Sequence, residues 1–452
     1  MHKLTTYLFF FSTLTTVLLT SLRTTPEEQD IISTEFTLIT KHNYLLTPIN
    51  IGTPSQEFSL IIDIGSERTW IHQDEFNSRL STTYTSTAFT ETKDEDTFTF
   101  SGVSSKETFT FPSTNTALTS FPFVLVDNIE GNDIITGVLS LGREYDSKQY
   151  SIVYRLNNEA TTHFNAFSLD FTSNENDSTK GMLHIGDVTS QLQNEPHLID
   201  SCTVLNERNN FRIKWGCELT HMFVGEIGEQ VHEVTSLKEN VYDVKQELLE
   251  LYTSAYFETV YNKILFPFYN GGDVEHPVFT FLDRKYFVNE QNEVICTKIK
   301  NEREIKYECK KDEVAQLKQV NFVFDAKVSL YLQTQDLFTC IADTCEFMIG
   351  SVKDIEHVVM GVSMLKKYHV VFDYNDYEIR FHSKTNKAKV YVGERKSNTM
   401  SAWKMFGYFI LTVVALGLLA LMCIYFSRRK NQTKKMIQQQ IYETFNPTEN
   451  KQ

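Results

Sequence analysis

The residue best placed to do chemistry is Asp63. It follows the apolar run Leu60-Ile61-Ile62 and precedes Ile64-Gly65-Ser66-Glu67-Arg68-Thr69-Trp70. A carboxyl at the tip of an apolar strand is costly unless it is hydrogen-bonded or shares a proton with a second acid. Two carboxyls held close cannot both ionise, so one keeps its proton and the other can act as a base on water. Gly65 suits a tight turn beside such an acid. Ser66 offers a hydroxyl that can support the site or simply hold the turn, and Trp70 can shape the site or pack in the core.

Elements that could position these residues are mostly strands. From about 42 to 390 the chain runs in short alternating apolar segments broken by polar turns, which predicts an all-β protein. Helical signals are few, over Ser254 to Leu265 and around Met364-Leu365-Lys366-Lys367. The clearest hairpin signal is Thr97-Phe98-Thr99-Phe100, a tip at Ser101-Gly102-Val103-Ser104-Ser105, then Thr108-Phe109-Thr110-Phe111. Phe and Thr alternate on both arms, so the rings fall on one face of a ribbon. At 452 residues the chain is long enough for two lobes, each with its own core. Residues 289–314 read as a charged insertion held by disulfides.

Charge and targeting segments narrow the functional classes. The chain carries 43 Lys+Arg against 58 Asp+Glu, a net charge of −15, which argues against nucleic acid as a partner. Residues 1–21 read as a secretory signal peptide. Residues 404–426 read as one transmembrane helix, long enough for a hydrocarbon layer of ~30 Å. Arg428, Arg429, Lys430, Lys434 and Lys435 follow directly and place the tail, 427–452, on the cytoplasmic side. The expectation is a single-pass type I protein, its bulk extracellular or in the secretory or endolysosomal lumen. Residues 22–41 form a short N-terminal segment and 391–403 a polar stalk.

Of seven cysteines, Cys423 falls in the span. Cys202, Cys217, Cys296, Cys309, Cys340 and Cys345 form an even set in an oxidising compartment, so three disulfides are expected. Cys202 with Cys217 is favoured because adjacent strand-like runs carry them. Asn176-Asp177-Ser178 is a glycosylation sequon in a polar loop. No Cys-x-x-Cys or histidine cluster suggests a metal, and no cofactor is expected. Tyr442-Glu443-Thr444-Phe445 resembles a sorting signal, with Tyr442 and Phe445 as its anchors and a cytosolic adaptor as the implied partner.

Several segments in order carry a resemblance to the pepsin-like (A1) aspartic proteases. They are Tyr44 to Asp63, Thr136-Gly137-Val138-Leu139-Ser140-Leu141-Gly142, Gly181-Met182-Leu183-His184-Ile185-Gly186-Asp187, Val358-Val359-Met360-Gly361-Val362, and Tyr368 to Tyr374. The resemblance implies an all-β bilobal fold with an N-terminal lobe over 42–195 and a C-terminal lobe over 196–390. It implies two aspartates that activate water to hydrolyse peptide bonds, and a flap that corresponds to the Phe98, Phe100 and Gly102 hairpin. It also implies a C-terminal-lobe disulfide from Cys309 to Cys340 or Cys345. Asp63 matches the first aspartate, with Gly65, Ser66 and Trp70 in support. Asp243 is the candidate for the second, preferred over Asp325 because Asp325 leaves too little chain before Gly361. Its surroundings depart from the family pattern, since Val244, Lys245 and Gln246 stand where Thr, Gly and a hydroxyl residue belong. Ile64 likewise replaces a Thr. Two functions follow: a membrane-anchored aspartic endopeptidase acting on peptides or proteins, or an inactive pseudoprotease that binds peptides.

Overall fold

The computed structural model describes residues 31–39, 44–66, 68–95, 98–130, 136–143, 151–159, 166–171, 179–186, 198–205, 214–225, 248–268, 275–289, 293–353, 355–383, 422, 424–426 and 428–438. Among these residues strands dominate, as the alternation predicts, and two sheets hold them. The thirteen-stranded sheet is built on the N-terminal half, and the eleven-stranded sheet on residues 215–360.

The C-terminal strands do not stay with their own half. His369–Asp373 pairs with Ala166–Asp170, and Glu378–His382 pairs with Leu198–Thr203, so the chain end completes the first sheet. Phe167, Phe372 and Trp215 pack together under this junction, with the Phe167 and Phe372 rings stacked at 4.7 Å. Ladder hydrogen bonds and buried aromatic area thus tie the two halves into one body. Ile32–Ile39, placed by sequence in the short N-terminal segment, is a sheet strand between Tyr44–Ile51 and Lys180–Ile185.

The same three-strand device recurs in each half. Gln56–Asp63 runs parallel to Gly137–Ser140, which is antiparallel to Trp70–His72. In the second half Leu249–Phe257 runs parallel to Val358–Met360, which is antiparallel to Ile264–Pro267. The registers Asp63↔Ser140 and Phe257↔Met360 set the two strand ends in equivalent positions. Gly361 follows at the second, where a Cβ would stand 2.3 Å from the Lys263 carbonyl oxygen. Only glycine lets those backbones approach so closely.

Two sequence expectations about these elements are corrected. Ser254 to Leu265 is not helical: Leu249–Phe257 is a strand, and the chain turns before Ile264–Pro267. Ala255, Tyr256 and Phe257 are buried in succession, and a strand covered on both faces has no two-residue alternation to betray it. The Phe/Thr hairpin does not turn at Gly102. Phe98–Phe111 is one strand, paired with Thr85–Glu95 on one side and Thr116–Glu130 on the other. Gly102 marks a bulge instead, where a Cβ would lie 2.4 Å from the Leu125 carbonyl oxygen.

The disulfides are Cys202–Cys217, Cys296–Cys309 and Cys340–Cys345. The first agrees with the sequence reading. The bridge from Cys309 to Cys340 or Cys345 is not formed, because each of these cysteines sits directly opposite a nearer partner across a hairpin. The 289–314 insertion is such a hairpin, Cys296–Lys300 with Glu304–Lys310.

Asn176, Asp243, Tyr442, Phe445, residues 1–21 and most of 404–426 lie outside the described residues. Among the described residues, no helix is long and apolar enough to cross a membrane. Residues 428–438 are helical and exposed.

Candidate active site

Asp63 ends its strand with 4 % of its surface exposed. Its Oδ1 accepts hydrogen bonds from the Gly65 N–H at 2.8 Å and the Ser66 N–H at 3.2 Å. The backbone therefore folds back over the acid, which is the role the turn at Gly65 was expected to play. The Ser66 hydroxyl serves the turn, donating to the Arg68 carbonyl at 3.2 Å. Trp70 is fully buried and packs with Ile61, Val124, Val126 and Val138, so its place is in the core.

The acid that meets Asp63 is Glu258, which sequence reasoning missed. It follows Phe257 as Asp63 follows Ile62, and its N–H donates to the Met360 carbonyl at 3.1 Å. An ideal Cβ built on Gly65 would stand 3.6 Å from Asp63 Oδ1, 3.4 Å from Glu258 Cδ and 3.6 Å from Glu258 Oε2. Both carboxyls thus flank one small volume that Gly65 leaves open. Asp325, the rival to Asp243, is elsewhere. It sits in the turn between Val320–Phe324 and Val328–Leu332 and accepts from the Thr203 N–H at 2.7 Å.

Thr259 locks the two loops together. Its hydroxyl donates to the Ile62 carbonyl at 2.6 Å and accepts from the Ile64 N–H at 3.3 Å. Ile64 has no hydroxyl to return the contact, so the cross-link is one-sided. Ser140 takes up part of the loss, donating from its side chain to the Ser66 carbonyl at 2.7 Å. Its own N–H donates to the Thr69 hydroxyl at 3.1 Å.

Lys214 enters the site. Its Nζ lies 2.8 Å from Glu258 Oε1, with the two side chains 6 % and 3 % exposed. His357 Nε2 lies 3.4 Å from the same oxygen, and its ring meets Tyr256 edge-on at 4.6 Å. These contacts occupy Oε1, while Oε2 faces the Gly65 side.

Electrostatics then separate the two acids. Burial pushes Asp63 up from 3.8 to about 7; repulsion from Glu258 adds to this, and the Gly65 hydrogen bond opposes it. Burial pushes Glu258 up as well, but the hydrogen bonds and charges of His357 and Lys214 overcome it and hold the group below its usual 4.5. Between those limits Asp63 carries the proton and Glu258 the charge. Such a split marks an acid and a base in one site.

Among the described residues, no group of His, Cys, Asp and Glu could hold a metal ion. The eukaryotic aspartyl protease family model matches residues 43–226. That match takes in Asp63 and stops before Glu258. A search of curated protein sequences finds no match. Among solved structures, the aspartic proteinase from Irpex lacteus superposes with a TM-score of 0.58 at 13% identity, covering 80% of this chain and 100% of that one. At that identity the likeness concerns the fold. Residues 43–226 therefore match the eukaryotic aspartyl protease model, and the fold is of the pepsin-like, two-lobed β kind.

Proposed function

We propose that the protein is an aspartic-type endopeptidase with a mixed pair, Asp63 and Glu258, acting on peptide segments laid between its two lobes. The observation that carries this reading is the opposed protonation of the two acids around Gly65. Glu258 is the base: its free oxygen takes a proton from water as that water attacks the scissile carbonyl. Asp63 is the acid: its proton hydrogen-bonds the carbonyl oxygen and stabilises the charge that grows there. The departing amine then takes a proton from the same pair. The acid limb of activity follows Glu258, below about 4.5. The basic limb follows Asp63, at about 7.

The pseudoprotease reading is favoured by the Lys214–Glu258 contact and by Ile64 and Val260, which stand where a hydroxyl residue and a glycine would normally be. A carboxylate bonded to an ammonium is a weaker base. We also infer that a span over 404–426 anchors the protein, with the lobes on the lumenal or extracellular side and Tyr442 and Phe445 available to a cytosolic adaptor. This rests on the apolar run and on the basic residues that follow it.

The test is cleavage of an unfolded protein by the full-length chain in detergent, from about pH 3 to 8. It is run with and without a transition-state analogue that carries a hydroxyl in place of the scissile carbonyl. Inhibitor-sensitive cleavage with a plateau ending near pH 7 supports the enzyme. Binding of the analogue with no cleavage at any pH selects the pseudoprotease.

A further inference from the structure

Four cysteines stand in one line across four neighbouring strands. Cys296 is opposite Cys309, Cys309 is opposite Cys345, and Cys345 is opposite Cys340. Residues directly opposite one another point to the same face of a sheet, so the four side chains form one row. The two outer pairs are bridged, with Cα atoms 4.3 Å and 3.9 Å apart. The central pair is not.

The spacing within the row follows from the ladder. In antiparallel sheets, opposite residues alternate between closer pairs that exchange no hydrogen bonds and wider, hydrogen-bonded pairs with Cα atoms about 5.5 Å apart. A residue that is in the closer relation to one neighbour turns its N–H and C=O toward the other. Both bridged pairs are of the closer kind, so Cys309 and Cys345 are of the wider kind. A separation of about 5.5 Å lies inside the range over which a disulfide closes without moving the backbone.

Exposure gives the row a direction. Cys296 and Cys309 are 3 % exposed and Cys345 is fully buried, whereas Cys340 is exposed at the end of the sheet, beside Ile341 at 79 %. Of the four residues, Cys340 is the one exposed to a reagent in solution.

We propose that this row is a thiol–disulfide exchange site that takes two electrons from a pair of external monothiols and passes them inward. The thiolate attacks Cys340 Sγ, forming a mixed disulfide, and Cys345 leaves as a thiolate. Cys345 Sγ attacks Cys309 Sγ, which breaks the bond to Cys296, and the Cys296 thiolate takes a proton from solvent. A second thiol resolves the mixed disulfide on Cys340, giving the oxidised small disulfide and a Cys340 thiol. Two external thiols become one disulfide, and two protein disulfides become one bridge, Cys309–Cys345, with thiols at Cys296 and Cys340. The new bridge spans 36 positions (309 to 345) against 13 and 5, so one longer loop constraint takes the place of two shorter ones. The exchange releases the staple within each hairpin and joins the hairpins to each other.

The test is a glutathione titration of the full-length protein in detergent. The exchange is quenched with acid and the protein unfolded, so that N-ethylmaleimide then reaches buried and exposed thiols alike, and the bridges are mapped by mass spectrometry of unreduced peptides. The expected result is a Cys309–Cys345 peptide with label on Cys296 and Cys340, at glutathione levels that leave the buried Cys202–Cys217 bridge intact. Label on Cys340 and Cys345 with Cys296–Cys309 intact would overturn the proposal, as would a row that resists until Cys202–Cys217 opens. In Cys340→Ser the Cys345 thiol is present from the start. Label shared between Cys345 and Cys296 supports the exchange, and label confined to Cys345 contradicts it.

Discussion

Replacing Asp63 with Asn removes the group whose proton the fold holds most tightly in the site. Burial, and then the charge of Glu258, move Asp63 from 3.8 to about 7 against the Gly65 hydrogen bond. A carboxyl whose folded pKa lies above its unfolded value binds its proton more tightly in the native state. Its contribution is complete below about pH 4 and is lost as the pH rises through about 7. At ~1.36 kcal/mol per pH unit, the span from 3.8 to about 7 amounts to about 4 kcal/mol. Asn keeps the shape, can accept the Gly65 and Ser66 N–H groups, and does not titrate. The stability difference between Asp63→Asn and the native chain should be flat below about pH 4, grow in favour of the variant as the pH rises, and level off above about 7. Thermal unfolding of the full-length protein in detergent from about pH 4 to 8 measures it as a Tm difference of several degrees. The conversion is ~2–4 °C per kcal/mol for a domain of 150–250 residues, and smaller for a larger one. His276 and His382, each lowered to about 4 chiefly by burial, titrate in the same window with the opposite sign. They are common to both proteins and cancel in the difference. A difference that stays constant from pH 4 to 8 would refute a proton held on Asp63.

Three further outcomes follow from the same contacts. In Lys214→Met, Glu258 loses the ammonium that helps hold it below its usual range, so the acid limb of the cleavage profile moves to higher pH. The rate on that limb should fall about tenfold for each pH unit of displacement, and an unmoved limb would show that Lys214 does not set the base. In Thr259→Val, the bonds to Ile62 and Ile64 are lost from a buried position, costing about 1–3 kcal/mol. Equilibrium denaturation reads this loss, and an unchanged midpoint would deny the cross-link between loops. In Gly361→Ala, the new methyl would stand 2.3 Å from the Lys263 carbonyl oxygen and 2.4 Å from that of Tyr261. The cost should be about 1–3 kcal/mol or more, and a native Tm would mean that the backbones are not so close.

The first half of the site was legible because its signal is contiguous. An apolar strand, an acid, a glycine turn and a downstream Trp lie within eleven residues, Leu60 to Trp70, and each plays a local part. The all-β character was legible in the apolar alternation, and the segments that hold the strands Gly137–Ser140, Val358–Met360 and His369–Asp373 were marked by the family resemblance. The second acid was not. Glu258 differs from the expected aspartate by one methylene, and Val260 replaces the glycine that would flag the turn. The three apolar residues before it read as part of a helix. The usable signal was the likeness of Tyr256-Phe257-Glu258-Thr259 to Ile61-Ile62-Asp63, with a Thr next to the acid. Lys214 could not be foreseen, because only the fold brings a residue 44 positions away against Glu258. Three bridges and the Cys202–Cys217 pairing were legible, but the pairings of Cys296, Cys309, Cys340 and Cys345 escaped because strand pairing, not the count of cysteines, decides which sulfurs face each other.

The most direct measurement compares peptide cleavage by the full-length protein and its Glu258→Gln form at about pH 5.5, where Asp63 is protonated and Glu258 charged. Gln fills the same space but cannot take a proton from water, so the account predicts inhibitor-sensitive cleavage by the native protein and a rate reduced by at least ~100-fold in the variant. Equal rates in the two proteins would contradict it, because hydrolysis would then not depend on the carboxylate that the fold sets against Asp63.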